Sequence, residues 1–397
     1  MFAERYGERL RRRQEGGLLR TPPLIAGREG KYLLIGGRRV LNFSSNDYLG
    51  LGVSAPLRQQ VARNFQKYGT SSSSSRLVAG NLATIVRAEE AYARYFGYEA
   101  ALFFPSGYQA NVGLISTLFA KGDVVLFDKH LHASSVKGMA LSGADCHGYN
   151  HNSMSHLRKR LAGARQEQAA VLTESLFSMD GDFLAIQGFD SLKKEFGFFS
   201  VVDEAHAFGV LGEQGRGLAR SVADIAVGTF GKALGLFGAF VLLPALLKEY
   251  LGNYSSPLIY STALPEAHAA SALDILATLA AADKERDHLR EISGLMKSAL
   301  LADGLHATGD AHIIAWEIGD EKRAVAMSQQ LLARDIFAFA ARYPTVPLGR
   351  AVLRLGMTAL HTEEDVTIFI NAVRDISRHE VGPKVGENAG NKIGENR

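Results

Sequence analysis

The stretch "SVVDEAHAFG", Ser200–Gly209, is an apolar run that ends on a carboxylate, and its reading decides the fold. Consecutive apolar residues such as Val201 and Val202 fill both faces of an extended segment, which suits a sheet covered on both sides by helices. Asp203 then stands where a strand hands over to a loop, with His206 three residues on. Outward from it, the runs "AALFFPSG", "DVVLFDKH", "AAVLTES", "DIAVGTFGK" and "GAFVLLP" alternate with helical segments. That alternation predicts an α/β fold with a mainly parallel central sheet. In such a sheet the chemistry gathers where strands end at their C-terminal side. Those ends carry Ser106, His132, Glu174, Asp203, His206 and Lys232.

The α/β region extends over residues 46–285 and is expected to be a large cofactor-binding domain. Before it, residues 1–45 read as an amphipathic helix and a hairpin, "KYLLIGGRRVLNF", turning at Gly36-Gly37. After it, 286–380 alternates helices with short strands such as "HIIAWEIG" and "AVLRLGM", as a smaller α+β domain would. The tail 381–397 has almost no apolar content and is expected to be disordered. The chain has 397 residues, 47% of them hydrophobic, enough for a large core. Its net charge of +3 comes with both signs interspersed, which argues against nucleic acid or an anionic membrane surface as a main partner. A lone cysteine, Cys146, fits a reducing compartment. With no apolar stretch of membrane-spanning length and no secretion signal, the expected location is the cytoplasm.

Lys232 lies 29 residues after Asp203 in a turn of glycines and apolar side chains, with no acid beside it in the sequence. Lost solvation and a missing carboxylate partner both help a lysine shed its proton from its ordinary ~10.4. This arrangement suits pyridoxal 5'-phosphate. The lysine amine would join the aldehyde, and Asp203 would keep the pyridine nitrogen protonated. "FFPSGYQANVG" supplies a phosphate site: a strand, then Ser106 and Gly107, then a helix opening at about Tyr108. Thr229 can add a hydroxyl, His132 can stack on the ring, and His206 can reach its phenolic oxygen.

Other motifs carry less. "GTFGKAL" lacks the Ser or Thr of a P-loop, and "GVLGEQGRG" lacks G-x-G-x-x-G spacing. Cys146, His147, His151 and His156 have metal-like spacing, but they span a strand-to-helix connection rich in turn formers, so no metal is expected.

The chain resembles the α-oxoamine synthase family of fold-type I pyridoxal-phosphate enzymes over roughly residues 15–378. The resemblance is carried in order by "LNFSSNDYLGL", "FFPSGYQANVGL", "DKHLHASSVKG", "TESLFSMDGD", "VVDEAHAFGVLGEQGRG", "TFGKALG", "LIYSTALP" and "PTVPLGRAVLRLGMTALH". It implies that Lys232 binds the cofactor and serves as acid and base, Asp203 pairs with the ring nitrogen, and His132 stacks. His206 and Ser178 would face the oxygen side, with Ser106, Gly107, Tyr108 and Thr229 near the cofactor. Ser261 and Thr262 would reach the neighbouring subunit's phosphate, which implies a homodimer with active sites at the interface. Arg354 would grip the amino-acid carboxylate, with Asn46 near the substrate and Arg20 near the acyl group.

The implied reaction is decarboxylative condensation of an amino acid with an acyl-CoA or acyl-carrier protein. "SSNDYLGL", "SMDGD", "GVLGEQGRG" and "YPTVP" look most like members that join L-alanine to a pimeloyl thioester in biotin synthesis. Glycine as the amino acid, a longer acyl-CoA, and a catalytically silent binding subunit stay open as alternatives.

One stretch departs from the family. Relatives usually carry a glycine-rich turn where this chain has Ser71–Ser75, and a histidine where it has Ile85. Serines in glycine-only dihedrals would be strained unless their hydroxyls bond locally.

Overall fold

A computed structural model describes residues 2–164 and 169–380, and three sheets form among these residues. The tail after 380 lies outside the described residues. Near the N-terminus, β1 (Ile25–Glu29), β2 (Tyr32–Ile35) and β3 (Arg38–Asn42) form an antiparallel meander, with Gly36 and Gly37 in the turn between β2 and β3. The central sheet follows: β4 (Ala100–Phe104), β5 (Val124–Asp128), β6 (Asp145–Tyr149), β7 (Ala169–Glu174), β8 (Phe199–Asp203), β9 (Ile225–Thr229) and β10 (Ala239–Leu243). Its spatial order is β4-β10-β9-β8-β7-β5-β6. All pairs are parallel except the two made by β10, so the mainly parallel expectation holds. Every residue of β4, β7 and β10 is buried, which is what a sheet with helices on both faces requires.

The C-terminal part contributes β11 (Ala307–Thr308), β12 (Ile313–Gly319), β13 (Ile336–Phe337), β14 (Phe339–Ala341) and β15 (Ala351–Gly356). Four of them form the sheet β11-β12-β15-β14. β13 instead pairs in parallel with β3, so the N-terminal meander and the C-terminal part share a sheet. Apolar side chains from Leu41 through Ile376 pack in one contiguous core. At its centre Tyr92, Phe96, Phe230 and Phe240 meet at ring separations of 5.0–5.9 Å. Gly228 makes room for them, since a Cβ there would stand 2.3 Å from the Phe240 ring. Ile85, 1% exposed, joins this core, and an apolar side chain at that position needs no polar partner.

Parallel register sets up the site. β7 and β8 end level with each other, and Glu174 pairs directly with Asp203. Two carboxylates therefore sit side by side at the C-terminal edge of the sheet, although 29 residues separate them.

In the serine run one residue, Ser73, takes the left-handed region, at φ 54°. The hydroxyls of its neighbours fold back on the backbone. Ser71 Oγ accepts from the Ser73 amide at 2.9 Å, Ser74 Oγ accepts from the Ala79 amide at 3.0 Å, and Ser72 Oγ donates to Ala263 O at 2.7 Å. Ser75 forms a bridge with Thr262, which ties the turn to the 255–264 segment.

Candidate active site

Asp203 closes β8, and its carboxylate is fixed from two sides. Oδ1 accepts from the Ala205 amide and Oδ2 from Asn111 Nδ2, both at 2.9 Å. Asn111 lies one turn into the helix Gly107–Leu118, and the same Nδ2 donates to Ser134 Oγ at 3.0 Å. Ser134 in turn donates to His132 Nδ1 at 2.7 Å, so Nδ1 accepts and the proton of the ring sits on Nε2. Burial pushes the His132 pKa down, against the pull of Asp203, in keeping with a neutral ring. One amide thus connects the carboxylate to the imidazole.

The same helix opens with Ser106 as its cap, whose Oγ accepts from the Gln109 amide. The first-turn amides of Gly107 and Tyr108 are free of intrahelical partners, as at any helix start, and they border the cavity that Asp203 floors. Thr229, the last residue of β9, lines that cavity too. Its hydroxyl bonds to Gly238 O at 3.0 Å and accepts from the Gly231 amide at 3.1 Å.

Lys232 follows in the turn between β9 and β10, and its Nζ lies 2.7 Å from His206 Nε2. As the sequence leads one to expect, no carboxylate pairs directly with Lys232 among the described residues, although Asp203 and Glu174 draw its pKa up through space. Burial still outweighs their pull and brings the amine down to about 8, with Arg354 acting in the same direction.

His206 is held well below its usual pKa, chiefly by burial and then by Lys232 and Arg354. A neutral His206 accepting from Lys232 at Nε2 carries its proton on Nδ1, which lies 2.6 Å from Tyr48 Oη. Tyr48 donates onward to Asn46 Oδ1 at 3.0 Å and accepts from Arg354 Nη2 at 3.3 Å. Arg354, on β15 and buried, also donates from Nε to Ser178 O at 2.6 Å. Glu174 accepts from the His132 amide at 2.7 Å and the Ser178 amide at 3.2 Å, and its pKa is raised by burial and by Asp203.

Lys232, Asp203, His132, His206, Ser178 and Thr229, with Gly107 and Tyr108, thus share one cavity of about 200 Å³. Ser106 caps the helix at its edge, and Asn46 and Arg354 join it through Tyr48. Arg20 is exposed and reaches Thr345 Oγ1 at 3.3 Å, outside the cavity. Ser261 and Thr262 line a separate small recess with Arg76 and Ile85. Tyr48, Asn111 and Ser134 are not announced by any motif, and the sequence marks Glu174 only as the polar end of a strand. Asn111 stands four residues after Gly107, on the same helix face, and that spacing was the available signal. Tyr48 acts through the fold alone. The four metal-spaced residues do not converge, for His156 accepts from the Asn150 amide while His147 faces Asp145.

The donor set fits pyridoxal phosphate: helix-start amides and a hydroxyl for an anion, a fixed carboxylate for a ring nitrogen, an imidazole alongside, and a lysine of lowered pKa.

The family described as aminotransferase class I and II matches residues 38–373. An 8-amino-7-oxononanoate synthase of Chlorobaculum parvum is 37% identical, covering 94% of this chain and 97% of the relative. Among solved structures, a serine palmitoyltransferase from S. paucimobilis with a bound PLP–myriocin aldimine superimposes with a TM-score of 0.88 at 27% identity, covering 94% of this chain and 96% of that one. An 8-amino-7-oxononanoate synthase from Francisella tularensis gives a TM-score of 0.75 at 29% identity, covering 86% of this chain and 98% of that one.

Proposed function

The chain belongs to the class I and II aminotransferase family and within it to the α-oxoamine synthases, and from that membership we propose that it condenses L-alanine with a pimeloyl thioester, as an 8-amino-7-oxononanoate synthase does. The observation that carries the pyridoxal-phosphate chemistry is the convergence of Lys232, Asp203, His132 and His206 in one cavity, with Arg354 buried beside it, while the choice of L-alanine and a pimeloyl thioester rests on the 8-amino-7-oxononanoate synthase relatives.

The cofactor, when bound, supplies an electron sink for the carbanion at the amino acid's α-carbon and for the electron pair left by departing carbon dioxide. The chain supplies the rest. Gly107, Tyr108 and Thr229 would hold the phosphate, Asp203 would pair with the ring nitrogen, His132 would lie along the ring, and His206 and Ser178 would be on its oxygen side. Lys232 accepts and returns a proton at Nζ, for which an amine of pKa about 8 is better matched to neutral pH than an ordinary lysine. Arg354, oriented by Ser178 O and Tyr48 Oη, binds the substrate carboxylate. Asn46 borders the amino acid and Arg20 the acyl donor.

Ser261 and Thr262 lie outside the Lys232 cavity of their own chain, which supports a dimer in which they serve the partner's phosphate site. Exposed Leu77, Val78 and Tyr260, 68–78% accessible, are available to an interface on that side. No helix among the described residues is long and apolar enough to cross a membrane, and we place the enzyme in the cytoplasm. The test is thiol release from pimeloyl-CoA by protein loaded with cofactor. L-alanine should support it and glycine should not. Release with glycine, or only with another acyl-CoA, would overturn the substrate assignment.

A further inference from the structure

The loop after β7, residues 175–185, brings Ser178 to the cavity, while its later residues are anchored to side chains that do not line that cavity. There His151 is held between two carboxylates. Its Nδ1 is 3.0 Å from Asp128 Oδ1 and its Nε2 is 3.1 Å from Asp182 Oδ2. Asp128 ends β5, is fully buried, and also accepts from the amides of His130 and Asn152. Asn152 continues the grip: its Nδ2 donates to Asp182 Oδ2 and Phe183 O, and its Oδ1 accepts from the Ala185 amide.

Each nitrogen of His151 faces an acceptor, so the ring must be an imidazolium to satisfy both. The two hydrogen bonds and two charges together raise its pKa to about 10 against the cost of burial. His130 stacks on it at 4.0 Å and 6°, paired in turn with Asp180, and Phe177 meets it in a T-shaped contact at 4.4 Å. His130, His151 and Asp180 lie close enough to be considered as metal ligands. Parallel stacking keeps the in-plane lone pairs of the two rings from converging, and both His151 nitrogens are already engaged.

The clamped loop has little freedom elsewhere. Gly181, at φ 71°, lies so near β12 that a Cβ would stand 2.3 Å from Ile313 O, and Asp310 bonds to the loop at Gly181 O and the Phe183 amide. Its cavity-side output is the Ser178 peptide, whose amide bonds to Glu174 and whose carbonyl holds Arg354 Nε.

We infer that His151 is a positioning residue for amino-acid recognition: by bridging Asp128 and Asp182 it fixes the loop whose Ser178 carbonyl aims Arg354. This rests on the reading that Arg354 binds the substrate carboxylate. The effect should therefore fall on carboxylate recognition and spare the acyl donor.

The experiment uses cofactor-loaded His151→Gln and Asp182→Asn proteins, with Arg354→Ala as reference. Dissociation constants for L-alanine and for ethylamine, which lacks the carboxylate, are read from the change in cofactor absorption. The pimeloyl-CoA KM and the melting temperature are measured alongside. Both variants should weaken L-alanine binding by about tenfold while ethylamine binding and the thioester KM stay within about twofold. The double variant should be no worse than the weaker single one. If His151→Gln and Asp182→Asn leave L-alanine affinity unchanged while Arg354→Ala destroys it, the inference is overturned and the Arg354 reading stands. Parallel loss of all three ligands with the melting temperature would reduce His151 to a fold-stabilising role and overturn it too. Unchanged L-alanine affinity in Arg354→Ala would remove both. Asp182 is partly exposed, so its variant provides a folded test should His151→Gln be unstable.

Discussion

Lys232 shows how much of the chemistry is a property of position. A lysine in water is protonated at neutral pH. Here burial lowers the amine to about 8 even with Asp203 and Glu174 drawing it the other way. Only the neutral amine attacks an aldehyde, so the rate at which cofactor-free protein takes up pyridoxal phosphate should climb as pH rises through about 8 and then level off. Stopped-flow absorbance across pH 6–11 reads this directly, and a rate still climbing toward ~10.4 would mean an unperturbed lysine. The sequence made Lys232 and Asp203 legible because each follows an apolar run and their spacing is specific. It hid Glu174 as a neighbour of Lys232, since that proximity comes from the register of β7 against β8. Tyr48 was hidden for the same reason, being 158 residues from the histidine it touches.

At the scale of elements, the strands of the central sheet could be read from the sequence because buried parallel strands have a simple signature, apolar on both faces. β13 could not, since a two-residue strand pairing with the N-terminal meander has no periodicity to detect. The serine run lies between these cases. The sequence predicts strain in glycine-like dihedrals, and the fold confines it to Ser73 while hydroxyls brace its neighbours. Ser73→Gly should therefore be neutral or stabilising by up to about 1 kcal/mol, because a side chain in the left-handed region is costly. Ser74→Gly removes the bond to the Ala79 amide and adds chain entropy, and should cost roughly 1 kcal/mol. Thermal or denaturant melts of the two variants check the order, and the reverse order would show that φ at Ser73 is not the strained feature.

The whole molecule brings its N-terminal, central and C-terminal parts together at one site, through Tyr48, Ser178 and Arg354. β15 carries Arg354 from the C-terminal sheet to the edge of the central one, where the Ser178 carbonyl and Tyr48 receive it. The proposed dimer would complete what one chain leaves open. Inactive Lys232→Ala and Thr262→Ala proteins, mixed under conditions that exchange subunits, should recover up to about a quarter of full activity, because one heterodimer site has both native residues. No recovery would place Thr262 in its own chain's site, and a Thr262→Ala protein that keeps full activity would leave it without a role. If Lys232 binds pyridoxal phosphate for reaction with an amino acid, the visible absorption spectrum of the purified protein, with and without L-alanine, reads it. The wild-type protein should be yellow and its band should shift on addition of L-alanine, and Lys232→Ala should lose the protein-linked band that borohydride fixes covalently. A colourless protein that the cofactor cannot reconstitute, or a Lys232→Ala protein in which borohydride still fixes the cofactor at this site, would rule out Lys232 as the cofactor-binding residue.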